Sequence, residues 1–129
     1  MPRMNDVDST MPILLIDDSQ SMRRIARNCL KQLGFENVTE ADSGTSAVEL
    51  LNSAEFKLII SDWSMPDVDT EQLLRELRSR GDNVPVLIVA ATQERQSIPE
   101  FKASEKTEVI IKPFTKEILQ QKMESVLHS

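Results

Sequence analysis

Leu58-Ile59-Ile60-Ser61-Asp62-Trp63-Ser64-Met65-Pro66 opens on a short apolar run, Leu58-Ile59-Ile60, then passes through a serine to an acid and gives way to proline. A strand buried on both faces reads as a continuous Val/Ile/Leu stretch in this way, rather than alternating with polar residues. Four further runs stand with it: Ile13-Leu14-Leu15-Ile16, Val38 to Ala41, Val86-Leu87-Ile88-Val89 and Val109-Ile110-Ile111. The segments between them have helical periodicity and are long enough for right-handed crossovers, so a parallel α/β sheet is expected.

Ligands of open parallel sheets bind outside the carboxyl ends of the strands, where the strand order reverses. Asp17-Asp18 ends the first run, Asp62 the third, Ala90-Ala91 the fourth and Lys112 the fifth. Three carboxylates and one ammonium are therefore expected to meet at one edge.

The helices follow from period and caps. Met22, Ile25, Ala26, Cys29, Leu30 and Leu33 form an i, i+3, i+4, i+7 stripe, and Gly34 stands where a left-handed C-terminal cap belongs. A second helix is expected from about Thr45 to Ala54, using Ala47, Val48, Leu50 and Leu51. A third follows Asp69, which caps it with Gln72 three residues on, and buries Leu73, Leu74 and Leu77. The last begins near Thr115 with Ile118, Leu119, Met123, Val126 and Leu127 inward. Pro99 complicates the fourth, because a proline inside a helix removes a donor and clashes with the preceding turn. Reading Ser97 as N-cap and Glu100 as the partner of its box puts Pro99 in the first turn, which predicts a short helix over 98–106 and a loop over 92–96.

A chain of 129 residues fits one domain, with residues 1–11 expected as a flexible tail and 12–129 as the folded unit. A start at Met1 and a stop after the last helix lead to the expectation of a complete, stand-alone chain. The single Cys29 excludes an internal disulfide and sits on the apolar stripe, as expected of core. No run approaches the roughly 18 apolar residues of a membrane span, and the first segment lacks the apolar core of a signal peptide, so a cytoplasmic location is expected. A formal charge of −6 argues against direct nucleic-acid binding. Arg23, Arg27 and Lys31, with Arg24 beside them, form one local basic stripe. It reads either as a solvated helix face or as a docking rim for an acidic partner.

Asp17-Asp18 after the first run, Asp62-Trp63-Ser64-Met65-Pro66 after the third and Lys112-Pro113-Phe114 after the fifth occur in order at strand ends. Each motif alone also reads as ordinary turn and capping chemistry, Asp17-Asp18-Ser19 as a helix start for example. Together they make the chain from about Met11 to Leu127 resemble a CheY-like response-regulator receiver domain of two-component signalling. The resemblance implies a flavodoxin-like, doubly wound, five-stranded parallel sheet of order 2-1-3-4-5 with five helices. It implies that Asp62 takes a phosphoryl group from a phosphohistidine of a histidine kinase or phosphotransfer protein. It also implies a Mg²⁺ site made by Asp18, Asp62 and the backbone carbonyl of Ser64, with Asp17 holding the metal's water. Lys112 would oppose the charge of the phosphoryl group.

The chemistry agrees with these roles. Clustered carboxylates repel one another and raise at least one pKa unless a cation intervenes. Mg²⁺ accepts one or two carboxylates plus waters and phosphate oxygens. Phosphoryl transfer asks for an in-line nucleophile and charge neutralisation, which a carboxylate and an ammonium supply.

The chain departs from the family pattern in its readout. Ala90 stands where a Ser or Thr hydroxyl is usual, and Val109 where an aromatic switch residue is frequent. Thr70 replaces a common glycine, and Pro99 disturbs the fourth helix. A register slip that brings Thr92 to the phosphate is the alternative to a vacant hydroxyl position. The expected function is thus a stand-alone phospho-acceptor, a diffusible regulator or a phosphorelay carrier, which switches a protein-binding surface for a downstream partner and is not a classical enzyme. The alternative is a receiver-shaped interaction module that works without phosphorylation. A haloacid-dehalogenase-type phosphatase would need an acid where Ser64 stands, and a flavin site would need a less acidic first loop.

Overall fold

The computed structural model describes residues 8–102 and 105–128. Its five strands are β1 (Ile13–Ile16), β2 (Val38–Ala41), β3 (Leu58–Asp62), β4 (Val86–Ala90) and β5 (Thr107–Ile111). They form one parallel sheet of order β2-β1-β3-β4-β5. The α-helices are α1 (Gln20–Gln32), α2 (Gly44–Ser53), α3 (Thr70–Ser79) and α4 (Lys116–Leu127), and a 3₁₀ helix (Thr92–Ser97) occupies the connection between β4 and β5.

Period-two alternation divides the core. Ile13, Leu15, Leu58, Ile60, Leu87, Val89 and Ile110 face one way, against Ala26 and Leu30 of α1 and Leu119, Met123 and Val126 of α4. Leu14, Ile16, Ile59, Val86, Ile88 and Ala90 face the other, against Ala47 of α2 and Leu73, Leu74 and Leu77 of α3. Both faces are covered, which is why β1 and β4 are wholly apolar and β3 is apolar up to Ser61 and Asp62, while the edge strands β2 and β5 carry Thr39, Glu40, Thr107 and Glu108.

Side-chain caps set the helix starts. Ser19, Ser43, Asp69 and Thr115 each accept an N–H from the first turn of the helix that follows. Gly34, at φ +98°, turns the chain out of α1 as its position implied. Two helix-stripe residues are not where their spacing put them: Ile25 is 49% and Ile118 43% exposed. Each lies at the margin of an apolar stripe, and the sheet covers only its centre.

The fourth helical segment differs from expectation in place and type. It spans Thr92–Ser97 as 3₁₀, where a loop was expected, and the described part of 98–106 holds no α-helix; residues 103 and 104 lie outside the described residues. Ile98, which precedes Pro99, is extended at φ −90°, ψ 126°, as steric pressure from a following proline requires, and this ends the helix instead of starting one. The Ser97 hydroxyl points back to the Glu94 carbonyl at 2.8 Å and caps nothing ahead. Arg78 fills part of the space, donating to the carbonyls of Asp82, Val84 and Glu105 at 2.8–2.9 Å and so fastening the entry of β5 to the end of α3. Of the expected tail, residues 1–7 lie outside the described residues, while the Met11 side chain is buried in the core.

Candidate functional site

The carboxyl ends of β1, β3 and β5 bring together Asp17, Asp18, Asp62 and Lys112. Carboxylate oxygens of Asp17, Asp18 and Asp62 all lie within 4.8 Å of one another. The Lys112 Nζ donates to Asp62 Oδ1 at 3.1 Å. Parallel register makes this meeting: Ile16 pairs with Ser61, Asp62 with Val89 and Ala90 with Ile111, so Asp62 sits at the last paired residue of β3, Asp17 and Lys112 one step beyond those of β1 and β5, and Asp18 two.

Asp17 is buried, and its Oδ1 accepts the Ser19 N–H at 2.8 Å, which fixes the turn into α1. Asp18 is exposed and faces solvent from the same turn. Asp62 is buried; burial first, and the Asp17 charge second, push its carboxyl up to about 6 against the pull of Lys112. Burial also raises Asp17. For Lys112, burial lowers the ammonium's pKa, but the hydrogen bond and charge of Asp62, with Asp17 and Glu94 behind it, outweigh that and leave it raised. Two buried carboxylates and a third beside them are a hard, all-oxygen donor set under electrostatic stress, and this fits a divalent cation such as Mg²⁺.

Several contacts around the site had no signal in the sequence. Thr70 is fully buried, its hydroxyl shared with Ser61 Oγ at 2.7 Å and bonded to the Asp62 carbonyl, so the residue that replaces a glycine holds the end of β3. The Asp67 carboxylate accepts from Gly44 N, Thr45 N and Thr45 Oγ1 at 3.0, 2.8 and 2.6 Å, pinning the loop after β3 to the start of α2, and these bonds depress its pKa. Glu94 accepts from Ser64 Oγ at 2.6 Å and from Ala91 N–H at 2.8 Å. No local pattern marks this contact, because Ala91 offers no capping side chain at the turn.

The basic stripe is largely spent on the fold. Arg23 and Arg27 both pair with Glu40, at 3.2 and 2.7 Å, and donate to the carbonyls of Asp17 and Val38 at 2.6 and 3.2 Å. Arg24 and Lys31, the other two cations of the stripe, are exposed.

Ala90 is completely buried at the end of β4, and Val109 is buried opposite Ile88. Ala90 pairs with Ile111, the Lys112 N–H bonds to the Ala90 carbonyl at 2.9 Å, and Thr92 is exposed two residues further on. Trp63 is half-buried beside the site, packed on the α2/α3 face of the core.

Fold and site together define a doubly wound parallel-sheet protein with a carboxylate–ammonium cluster at the strand ends. Residues 13–124 match the family model for the response regulator receiver domain. The chain is 41% identical over 118 residues to the chemotaxis protein CheY of Pseudomonas aeruginosa, covering 90% of this chain and 95% of that one. It is 35% identical over 122 residues to CheY-3 of Vibrio cholerae, covering 93% and 94%. Its structure is similar to that of the chemotaxis response regulator CheY4 of Vibrio cholerae, with a TM-score of 0.79, 29% identity and coverage of 92% and 99%. The Francisella response regulator 1452 receiver domain gives a TM-score of 0.78 at 26% identity, covering 92% and 98%. The chain belongs to the response regulator receiver family, CheY-like signalling domains of two-component systems. No helix among the described residues is long and apolar enough to cross a membrane.

Proposed function

We propose that Asp62 is a phospho-acceptor, taking a phosphoryl group from a phosphohistidine on a histidine kinase or phosphotransfer protein in the cytoplasm. The observation that carries this reading is the 3.1 Å bond between Lys112 and Asp62 inside a cluster of three carboxylates. A free Asp62 oxygen attacks phosphorus, the P–N bond breaks, and the histidine nitrogen leaves with the electron pair and later takes a proton. Asp62 is the fitting nucleophile because it is held by strand β3 and by Thr70 at its own carbonyl, so it meets the donor without reorganising. Lys112 stays beside the oxygen it already binds and then pairs with the product's charge. Asp18, Asp62 and the Ser64 carbonyl would hold Mg²⁺, with Asp17 positioning its water; the chemistry a bound Mg²⁺ supplies is neutralisation of the phosphoryl oxygens.

The output is a binding event at a surface that a downstream protein reads, and the chain acts as a switch and carrier. Buried Ala90 and Val109 favour one second reading, an interaction module independent of phosphorylation, since neither offers a hydroxyl or an aromatic ring to move. Incubation with acetyl phosphate separates the two. The phospho-acceptor reading expects a Mg²⁺-dependent mass increase that Asp62→Ala abolishes; an unlabelled wild type with Mg²⁺ present would favour the module.

A further inference from the structure

Both oxygens of the Glu94 carboxylate are engaged, Oε1 by the Ala91 N–H at 2.8 Å and Oε2 by the Ser64 hydroxyl at 2.6 Å. Those donors lie on the two loops that flank Asp62. Ser64 is two residues past it, and Ala91 follows the end of β4, where Val89 pairs with Asp62 and accepts the Trp63 N–H at 2.8 Å. The Glu94 charge is also near enough to act on Asp62 and Lys112. One acidic side chain therefore bridges the two walls of the site, at the corner where Ala90 provides no hydroxyl.

A phosphoryl group brings about −1.5 to −2 of charge and three acceptor oxygens. With alanine at position 90, the hydrogen-bond donors on these two walls include the Ser64 hydroxyl and the Ala91 amide, and Glu94 holds both. Two anions do not share such donors, because like charges at this range repel and each needs the same protons. The segment that carries Glu94 is easy to move. It is a six-residue 3₁₀ helix with no fully buried residue, a form with poorer hydrogen bonds than an α-helix, and its next core anchor is Ile98, 4% exposed.

We propose that Glu94 is an internal carboxylate latch: it holds the Ser64 hydroxyl and the Ala91 amide while Asp62 is free, and a phosphoryl group on Asp62 displaces it, releasing the 3₁₀ helix Thr92–Ser97 from the loop after β3. The inference rests on the phospho-acceptor reading and gives that site a readout which needs neither a hydroxyl at position 90 nor an aromatic ring at 109. Val109 and Ile98 belong to the same core face, so release of the segment reaches the surface along β5.

The test uses the full chain with Mg²⁺ and beryllofluoride, a stable mimic of an acyl phosphate. Trp63 emission reports occupancy of the site, and exchange of the Glu94 and Ile98 amides, bonded to Ala91 and Arg95 carbonyls, reports the segment. In the wild type, loading speeds exchange of these amides by about tenfold, the scale of one charge-assisted hydrogen bond. Glu94→Ala exchanges fast before loading, changes little on loading, and reaches half-saturation at several-fold lower beryllofluoride because the competing anion is gone. Glu94→Gln, which keeps the shape and loses the charge, falls between, and Ser64→Ala loosens the segment with Glu94 in place. A wild type whose Trp63 responds while exchange stays fixed overturns the latch alone, as does a Glu94→Ala that needs as much beryllofluoride or more. A wild type with no Trp63 response and no adduct on Asp62 overturns the phospho-acceptor reading, and the latch with it.

Discussion

Replacing Asp62 by asparagine should make the metal-free protein more stable at neutral pH. Asp62 is 5% exposed beside the equally buried Asp17, and its carboxyl titrates at about 6 instead of 3.8. Between those values the unfolded chain has released its proton while the folded chain still holds one, so the folded state binds more protons and stability falls as pH rises. At about 1.4 kcal/mol per pH unit, the loss is roughly 3 kcal/mol by the time pH passes about 7. That figure already includes the attraction of Lys112, because the same bond acts on the titration. Asparagine keeps the shape and an acceptor for Lys112 but never ionises. The variant and the wild type should be about equally stable near pH 4 and diverge to roughly 3 kcal/mol in favour of Asp62→Asn near pH 7, a melting difference of about 10 °C for a domain of this size. Urea unfolding with a chelator across this range measures it. An asparagine variant that is less stable at neutral pH, or a difference that does not change with pH, would refute the claim that burial and the Asp17 charge strain Asp62 when metal is chelated.

Three further outcomes follow from neighbouring contacts. Mg²⁺ should raise the melting temperature of the wild type in a concentration-dependent way through mass action, and Asp18→Ala, a change at an exposed position, should remove that response while leaving the chelated protein folded; calorimetry reads both. Thr70→Val should cost about 1–3 kcal/mol in urea unfolding, since it removes two buried hydrogen bonds at the end of β3 and leaves Ser61 Oγ and the Asp62 carbonyl only the longer 3.3 Å bond between them. Gly44→Ala should cost about 1–3 kcal/mol, because its Cβ would lie 2.2 Å from the Val68 carbonyl oxygen and force apart the loop that Asp67 pins to α2.

Most of the architecture was legible because the central strands are buried on both faces and so announce themselves as apolar runs, while Asp69 and Thr115 mark where α3 and α4 start. The meeting of Asp17, Asp18, Asp62 and Lys112 was legible for the same reason: each closes a run, and parallel strands place their ends together. The segment after β4 was not. Ser97 and Glu100 spell a capping box, but the steric demand of Pro99 on Ile98 wins over it, and the helix ends where it was expected to begin. The bridge from Glu94 to Ser64 spans thirty positions of sequence separation, and no local pattern encodes such a contact. Ile25 and Ile118 show the same limit on a smaller scale, since helical period gives a stripe but not how much of its width the sheet covers.

The central claim, that Asp62 accepts the phosphoryl group, is tested most directly by site mapping. After phosphodonor treatment with Mg²⁺, borohydride reduction converts an acyl phosphate on aspartate to homoserine, which tandem mass spectrometry locates in the chain. Homoserine at position 62, absent when Mg²⁺ is chelated, is the expected result. Homoserine at Asp17 or Asp18 instead, or an intact aspartate at 62 in a protein that binds Mg²⁺, would contradict it.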